Sequence, residues 1–229
     1  LGASAMNGAI TESTFNFFFK LNYDKTFASI LTTPMSPADV SLGELAFAEP
    51  LAVALHTIHR GPDLIGKSVL VTGAGTIGCL TVMAARLAGA ASITVSDILD
   101  RPLAKAREVG ADVTLRADRE GDKLAAPRYD VCYEVSGSFA ALKSCVAAVK
   151  KGGVVVQAGT LPHEPLPFVV NEIMAKEIDL RGVFRWGIEF DWAVEYLSNR
   201  RVDVRPLLSG QFPLKDAVSA FQAAADKTK

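Results

Sequence analysis

Residues that usually carry chemistry are scarce in this sequence. Its 229 residues include three cysteines, three histidines and two tryptophans. Cys79, Cys132 and Cys145 are odd in number, widely spaced and without a C-x-x-C pair, which argues against a disulfide framework. They are expected to pack as small apolar residues in a reducing cytoplasm. Charge of one sign is lacking too. The formal net charge is −1 and the isoelectric point is near 6.4, so there is no basic surface for nucleic acid. No apolar run approaches the roughly 18–20 residues of a membrane span. The start, Leu1-Gly-Ala, has no basic n-region and no initiator Met, and a partial chain is the expectation. Internal repeats and low-complexity linkers are absent. What is abundant is apolar: 49% of residues, with a mean hydropathy of +0.24, which points to a well-filled core.

Between residues 67 and 185 strand and helix patterns alternate. Short β-branched runs predict strands at Ser68–Thr72, Ser92–Ser96, Val113–Leu115, Asp130–Val135, Gly153–Gln157 and Ile178–Phe184. Helices are predicted at Thr76–Ala88, ended by Gly89, at Pro102–Val109, ended by Gly110, and at Phe139–Val149, before Lys150, Lys151 and Gly152. A preceding helix is predicted at Glu49–His59, with Pro50 in its first turn and Asp39 and Ser41 as capping residues upstream. Six strands in repeated βα units imply a doubly wound parallel sheet of the Rossmann type. Beyond it the alternation stops, and Phe190–Leu197, Leu207–Phe212 and Asp216–Ala225 read as helix, strand and helix. At the other end, Thr14–Ile30 is crowded with aromatics and reads either as strands of a partial domain or as an apolar surface seeking a partner.

Gly73-Ala-Gly-Thr-Ile-Gly78 is G-x-G-x-x-G, a weak signal alone but here placed between a predicted strand and a predicted helix. Gly73 permits the tight turn, Gly75 lets a pyrophosphate approach the backbone, and Gly78 lets helix and strand pack closely. The amides at the helix start, Thr76 and Ile77 among them, offer an anion site. Asp97 follows Gly78 by 19 residues at the end of the second strand. A carboxylate there accepts from ribose hydroxyls and repels a 2′-phosphate, favouring NAD over NADP. Ile98 lies beside it. Arg101 is placed to cover adenine or hold Asp97, and it also suits a 2′-phosphate.

From Asp39 to Lys229 the chain resembles the zinc-type medium-chain dehydrogenase/reductase family, in its polyol branch. The runs AEPLAVALH (48–56), VLVTGAGTIG (69–78), YEVSG (133–137) and LRGVFR (180–185) carry the resemblance. It implies an NAD-dependent enzyme oxidising a secondary alcohol of a polyol or sugar acid with the help of zinc. Ser136, Gly137, Gly159, Thr160 and Phe184 would then line the nicotinamide half of the NAD site. Arg185 is the catalytic candidate, pointing toward substrate hydroxyls or a carboxylate, with an ion pair at a domain boundary left open. The implied organisation is a catalytic-domain remnant of the GroES type at 1–45, an NAD-binding domain at 46–186 and a further catalytic-domain segment at 187–229. A homo-oligomer through the sheet edge is also implied.

The chain departs from this family where the metal belongs. No cysteine precedes Cys79 and no His-Glu pair precedes Glu49, so no zinc ligand set is assigned. Glu49 resembles the family's acidic residue near the metal, but a helix N-terminal carboxylate is the favoured reading. His56 and His59, at i and i+3, could share a metal with Glu49, although helix packing is preferred. A zinc-free quinone-reductase-like enzyme and a catalytically incomplete cofactor-binding or dimerisation module remain as alternatives.

Overall fold

The computed structural model describes residues 47–168 and 170–208. The capping residues Asp39 and Ser41, the aromatic segment 14–30 and the helix at 216–225 lie outside the described residues. The first described helix, α1 (Ala48–His59), leads into β1 (Ser68–Thr72), α2 (Thr76–Leu87), β2 (Ser92–Asp97), α3 (Asp100–Glu108) and β3 (Val113–Arg116). A 3-10 turn at Gly121–Leu124 precedes β4 (Tyr129–Glu134), α4 (Phe139–Ala148), β5 (Val149–Gln157), α5 (Val170–Lys176), β6 (Asp179–Gly182) and α6 (Glu189–Ser198). All strand pairs are parallel and the order is β3-β2-β1-β4-β5-β6. This is the doubly wound topology expected from the βα alternation. No described helix is long and apolar enough to cross a membrane.

Helices cover both faces of the sheet, so its central strands are buried on two sides. Val69 and Val71 of β1, Val131 and Tyr133 of β4 and Val156 of β5 join the core under α1, α2, α3 and α6. Their neighbours Leu70, Cys132 and Val155 join the other core, with Leu142, Cys145 and Val146 of α4. A strand with two buried faces therefore reads as an unbroken apolar run. Each fully buried Val or Leu side chain contributes about 1.5–3 kcal/mol. All three cysteines are free and buried, as expected of small apolar residues.

Several elements differ from the sequence expectation, β6 among them, which ends at Gly182 and not at Phe184. β5 begins at Val149 and not at Gly153, because Val149 pairs with Tyr129 before a register shift. α5 was not anticipated: it is seven residues long and buries none of them. What docks it is Lys176, whose Nζ donates to the carbonyls of Val146 and Ala147 at 2.7 Å at the end of α4. Arg205–Leu207 is a 3-10 turn, so Leu207 does not open a strand; residues 209–212 lie outside the described residues. α6 lies on α1, with Ala193, Val202 and Val204 in the same core as the sheet.

At the amino end of the sheet, Asp130 ties three strands together. Its Oδ2 accepts from the Ser68 amide at 2.8 Å and the Ser68 hydroxyl at 2.6 Å, and its Oδ1 accepts from Lys150 Nζ at 2.8 Å. Burial alone would raise this carboxyl, but the bonds from Lys150 and Ser68 outweigh it and hold it well below the usual range. Asp130→Ala is expected to cost about 1–3 kcal/mol by stranding those donors. A depressed folded pKa stabilises above the unfolded value, near 4, and that stability is lost as pH falls through the folded one. The gap between wild type and variant in urea melts should therefore be full at pH 7 and shrink in acid.

Candidate functional site

The carboxyl ends of the strands form one edge, and the chain reverses its winding direction there between β1 and β4. In open α/β sheets this switch point is where ligands bind. After β1, Gly73 turns with φ +100° and its amide donates to the Ser96 carbonyl at 2.7 Å. A Cβ on Gly73 would stand 2.9 Å from Ser136 Cβ, so the loops after β1 and β4 touch at the switch point. Gly75 caps α2 without a side-chain bond, and the helix's own ladder starts at the Cys79 amide, which donates to Gly75 O at 2.9 Å. That leaves the amides of Thr76, Ile77 and Gly78 outside the ladder at the start of α2. Nothing lies within 4 Å of where a Gly75 Cβ would be, whereas a Gly78 Cβ would lie 1.9 Å from Gly73 O. The first position is open to a ligand; the second is closed by the protein itself.

Asp97 ends β2, half-buried beside this turn. Its Oδ2 accepts from the Ala74 amide at 2.7 Å and its Oδ1 from the Leu99 amide at 3.0 Å. The carboxylate is thus positioned by the glycine turn, and each oxygen keeps a further lone pair. Ile98 is 60% exposed next to it, and Arg101 is exposed in the first turn of α3.

Across the switch point the loops after β4 and β5 interlock. Gly137 has φ +68°, and a Cβ there would lie 2.6 Å from Thr160 O. A Cβ on Gly159 would lie 2.2 Å from Gly137 N and 2.6 Å from Glu134 Oε2. Ser136, Gly137, Gly159 and Thr160 are therefore brought together, as the sequence reading expects. What that reading missed is Glu134, a fully buried carboxylate beneath both loops. It accepts from the amide of Ser136 at 2.8 Å, from the Ser136 hydroxyl, and from Gln157 Nε2 at 2.5 Å. The available signal was an acid inside the apolar run YDVCYEV. Farther along, the Val183 amide donates to Gln157 O at 2.9 Å, placing Phe184 and Arg185 just past the end of β6. Phe184 is 78% exposed, and the Arg185 guanidinium lies 5.1 Å over its ring. From β2 to β6 this edge runs four strand intervals, about 19 Å, which suits an elongated ligand.

Residues 76–199 match the family model described as zinc-binding dehydrogenase. The chain belongs to that family. It is 39% identical over 196 residues to the L-idonate 5-dehydrogenase (NAD(P)(+)) of Escherichia coli K12, covering 84% of this chain and 57% of that protein. With human sorbitol dehydrogenase it shares 34% identity over 194 residues, 81% of this chain and 54% of the relative. The solved E. coli L-idonate 5-dehydrogenase superposes with a TM-score of 0.78 over 84% of this chain and 56% of that one. An alcohol dehydrogenase from Thermotoga maritima, 27% identical, superposes with a TM-score of 0.74 over 85% of this chain and 57% of its own. The chain thus spans about half the length of the curated relatives it matches.

Burial pushes the Cys79 thiol up to about 12 and raises Cys132 as well, so both pack as uncharged thiols in the core. Glu49 does not meet the histidines; its Oε1 accepts from Trp186 Nε1 at 3.2 Å. Glu189, the first residue of α6, takes that place, with Oε1 at 2.5 Å from His59 Nδ1 and 3.0 Å from His56 Nδ1. Burial alone would raise its carboxyl, but the two ring nitrogens and the Gly187 amide outweigh it and hold it at about 2.

Proposed function

We propose that this chain carries the dinucleotide-binding half of an NAD-dependent dehydrogenase that oxidises a secondary alcohol of a polyol or sugar acid. The observation that carries this reading is Asp97 held beside the open Gly75 turn by the Ala74 amide. The L-idonate and sorbitol dehydrogenases among its relatives support the substrate class. In this reading the pyrophosphate sits against Gly75 and the amides of Thr76, Ile77 and Gly78, where the α2 dipole favours negative charge. Asp97 accepts from the adenosine ribose hydroxyls, and Ile98 and Arg101 flank the adenine. Ser136, Gly137, Gly159, Thr160 and Phe184 shape the nicotinamide end, and Arg185 offers a guanidinium to the substrate. The chemistry that NAD supplies when bound is acceptance of a hydride from the alcohol carbon. The same reading keeps residues 46–186 as the cofactor domain and assigns 1–45 and 187–229 to a partial catalytic domain, with α6 as the element that joins the second to α1. It also places a partner copy along β6, the outermost strand on that side among the described residues, where Leu180 is 41% exposed.

Asp97→Ala tests it. NADH affinity, followed by the blue shift and gain of nicotinamide fluorescence, should fall at least about tenfold, since two charge-assisted bonds of about 1.5–3 kcal/mol each are removed. NADPH binding should change little or improve. Unchanged NADH affinity in a folded variant would refute the ribose assignment.

A further inference from the structure

Two of the three histidines in the whole chain converge on one buried carboxylate where α1 meets α6. We propose that His56, His59 and Glu189 form a binding site for a divalent transition-metal ion of the zinc class, through two Nδ1 atoms and Oε1. All three ligand atoms lie within 4.8 Å of one another. Imidazole nitrogen and carboxylate oxygen are donors that such ions accept, and three protein ligands leave a fourth, tetrahedral position open.

Several features fit an ion better than a packing contact. His56 Nδ1 is buried and makes no aligned hydrogen bond, although Oε1 is 3.0 Å away. Two ring nitrogens and a carboxylate oxygen crowd on one point, one of the nitrogens shut off from water, and a cation placed there would be met by all three. The carboxylate is also oriented from behind: Glu189 Oε2 accepts from the Gly187 amide at 2.8 Å, which turns Oε1 toward the histidines. On the open side the His59 ring is tilted against Trp192, with centroids 5.3 Å apart. Bonds of ~2 Å in a tetrahedral site separate ligand atoms by about 3.3 Å. The His59 pair must therefore open slightly, which a side chain that is 57% exposed can do. That exposure also gives the ion an entry path and a water for the fourth position.

The test is metal titration of the chelator-treated chain, with Zn²⁺ followed by calorimetry and Co²⁺ followed by visible absorption. One equivalent of zinc is expected, together with a cobalt spectrum of four-coordinate intensity. Saturating zinc should raise Tm by mass action. His59→Gln, at an exposed position, should still fold in chelator, with its Tm lowered only by the lost bond to Glu189, yet bind zinc at least about tenfold more weakly, as losing even an outer-shell partner does. His163→Gln, an exposed control, should bind like wild type. Less than stoichiometric zinc in wild type, or equal affinity in His59→Gln, would overturn the site. NADH titration of the same samples reads the cofactor proposal separately, so either can fail alone.

Discussion

Gly78→Ala is expected to lower stability by about 2 kcal/mol and to abolish detectable NADH binding. A Cβ here would meet the Gly73 carbonyl oxygen at 1.9 Å, and that atom belongs to the backbone of a turn already committed to φ +100°. Neither partner is the end of a flexible side chain. The conflict resolves only if α2 moves away from β1 or the turn opens. Overpacking of this kind costs about 1–3 kcal/mol or more, offset in part by the roughly 1 kcal/mol helix preference of Ala over Gly. In a chain of this size 2 kcal/mol corresponds to a fall in Tm of about 4–8 °C. Gly75→Ala is the discriminating partner. Its backbone, with φ −67° and ψ −171°, suits any residue, and nothing lies within 4 Å of the added Cβ. That variant should melt like wild type and still lose NADH affinity, because its methyl occupies the space assigned to the pyrophosphate. If Gly75→Ala bound NADH normally, the phosphate would have to lie elsewhere.

Glu134→Ala is expected to be the most destabilising single change at the site, on the order of 3 kcal/mol or more. It removes the acceptor for the Ser136 amide and hydroxyl and for Gln157 Nε2 in a spot without solvent. Gln157 has little room to adjust: its Nε2 also donates to Gly159 O at 2.6 Å, and its Oε1 is buried without a partner. The neighbouring loops depend on this arrangement, since the Glu134 carbonyl also takes the amides of Ala158 and Gly159 at 2.9 Å. Glu134→Gln should recover part of the loss. One amide oxygen serves only one side of the site, and its NH₂ then faces donors unless Gln157 turns over. Urea melts of the three proteins check this order, wild type above Gln above Ala. Equal stability of Ala and wild type would show that the carboxylate has no structural part.

The sheet was legible because its signals are local. Short β-branched runs such as Ser68–Thr72 and Asp130–Val135 belong to strands buried on both faces, and Gly89 and Gly110 end helices through backbone geometry that few other residues adopt. The glycine turn and Asp97 were legible for a related reason: residue spacing along one βα unit sets their geometry. The interlock of Gly137 with Thr160 was not legible, because it joins loops on two strands; the family resemblance implied only that both line one site.

By itself, then, the sequence determined the doubly wound topology, the glycine turn with its acid, and the burial of the three cysteines. Each follows from covalent neighbours, hydrophobic period or backbone stereochemistry. Tertiary structure alone decided that Glu134 lies under the switch-point loops, that α5 forms where Lys176 meets the carbonyl end of α4, and that Glu189 rather than Glu49 meets His56 and His59. The last pairing spans 130 residues. No local rule specifies such a contact; it arises because α6 folds back along α1, and that path depends on where the whole sheet leaves an apolar face to cover.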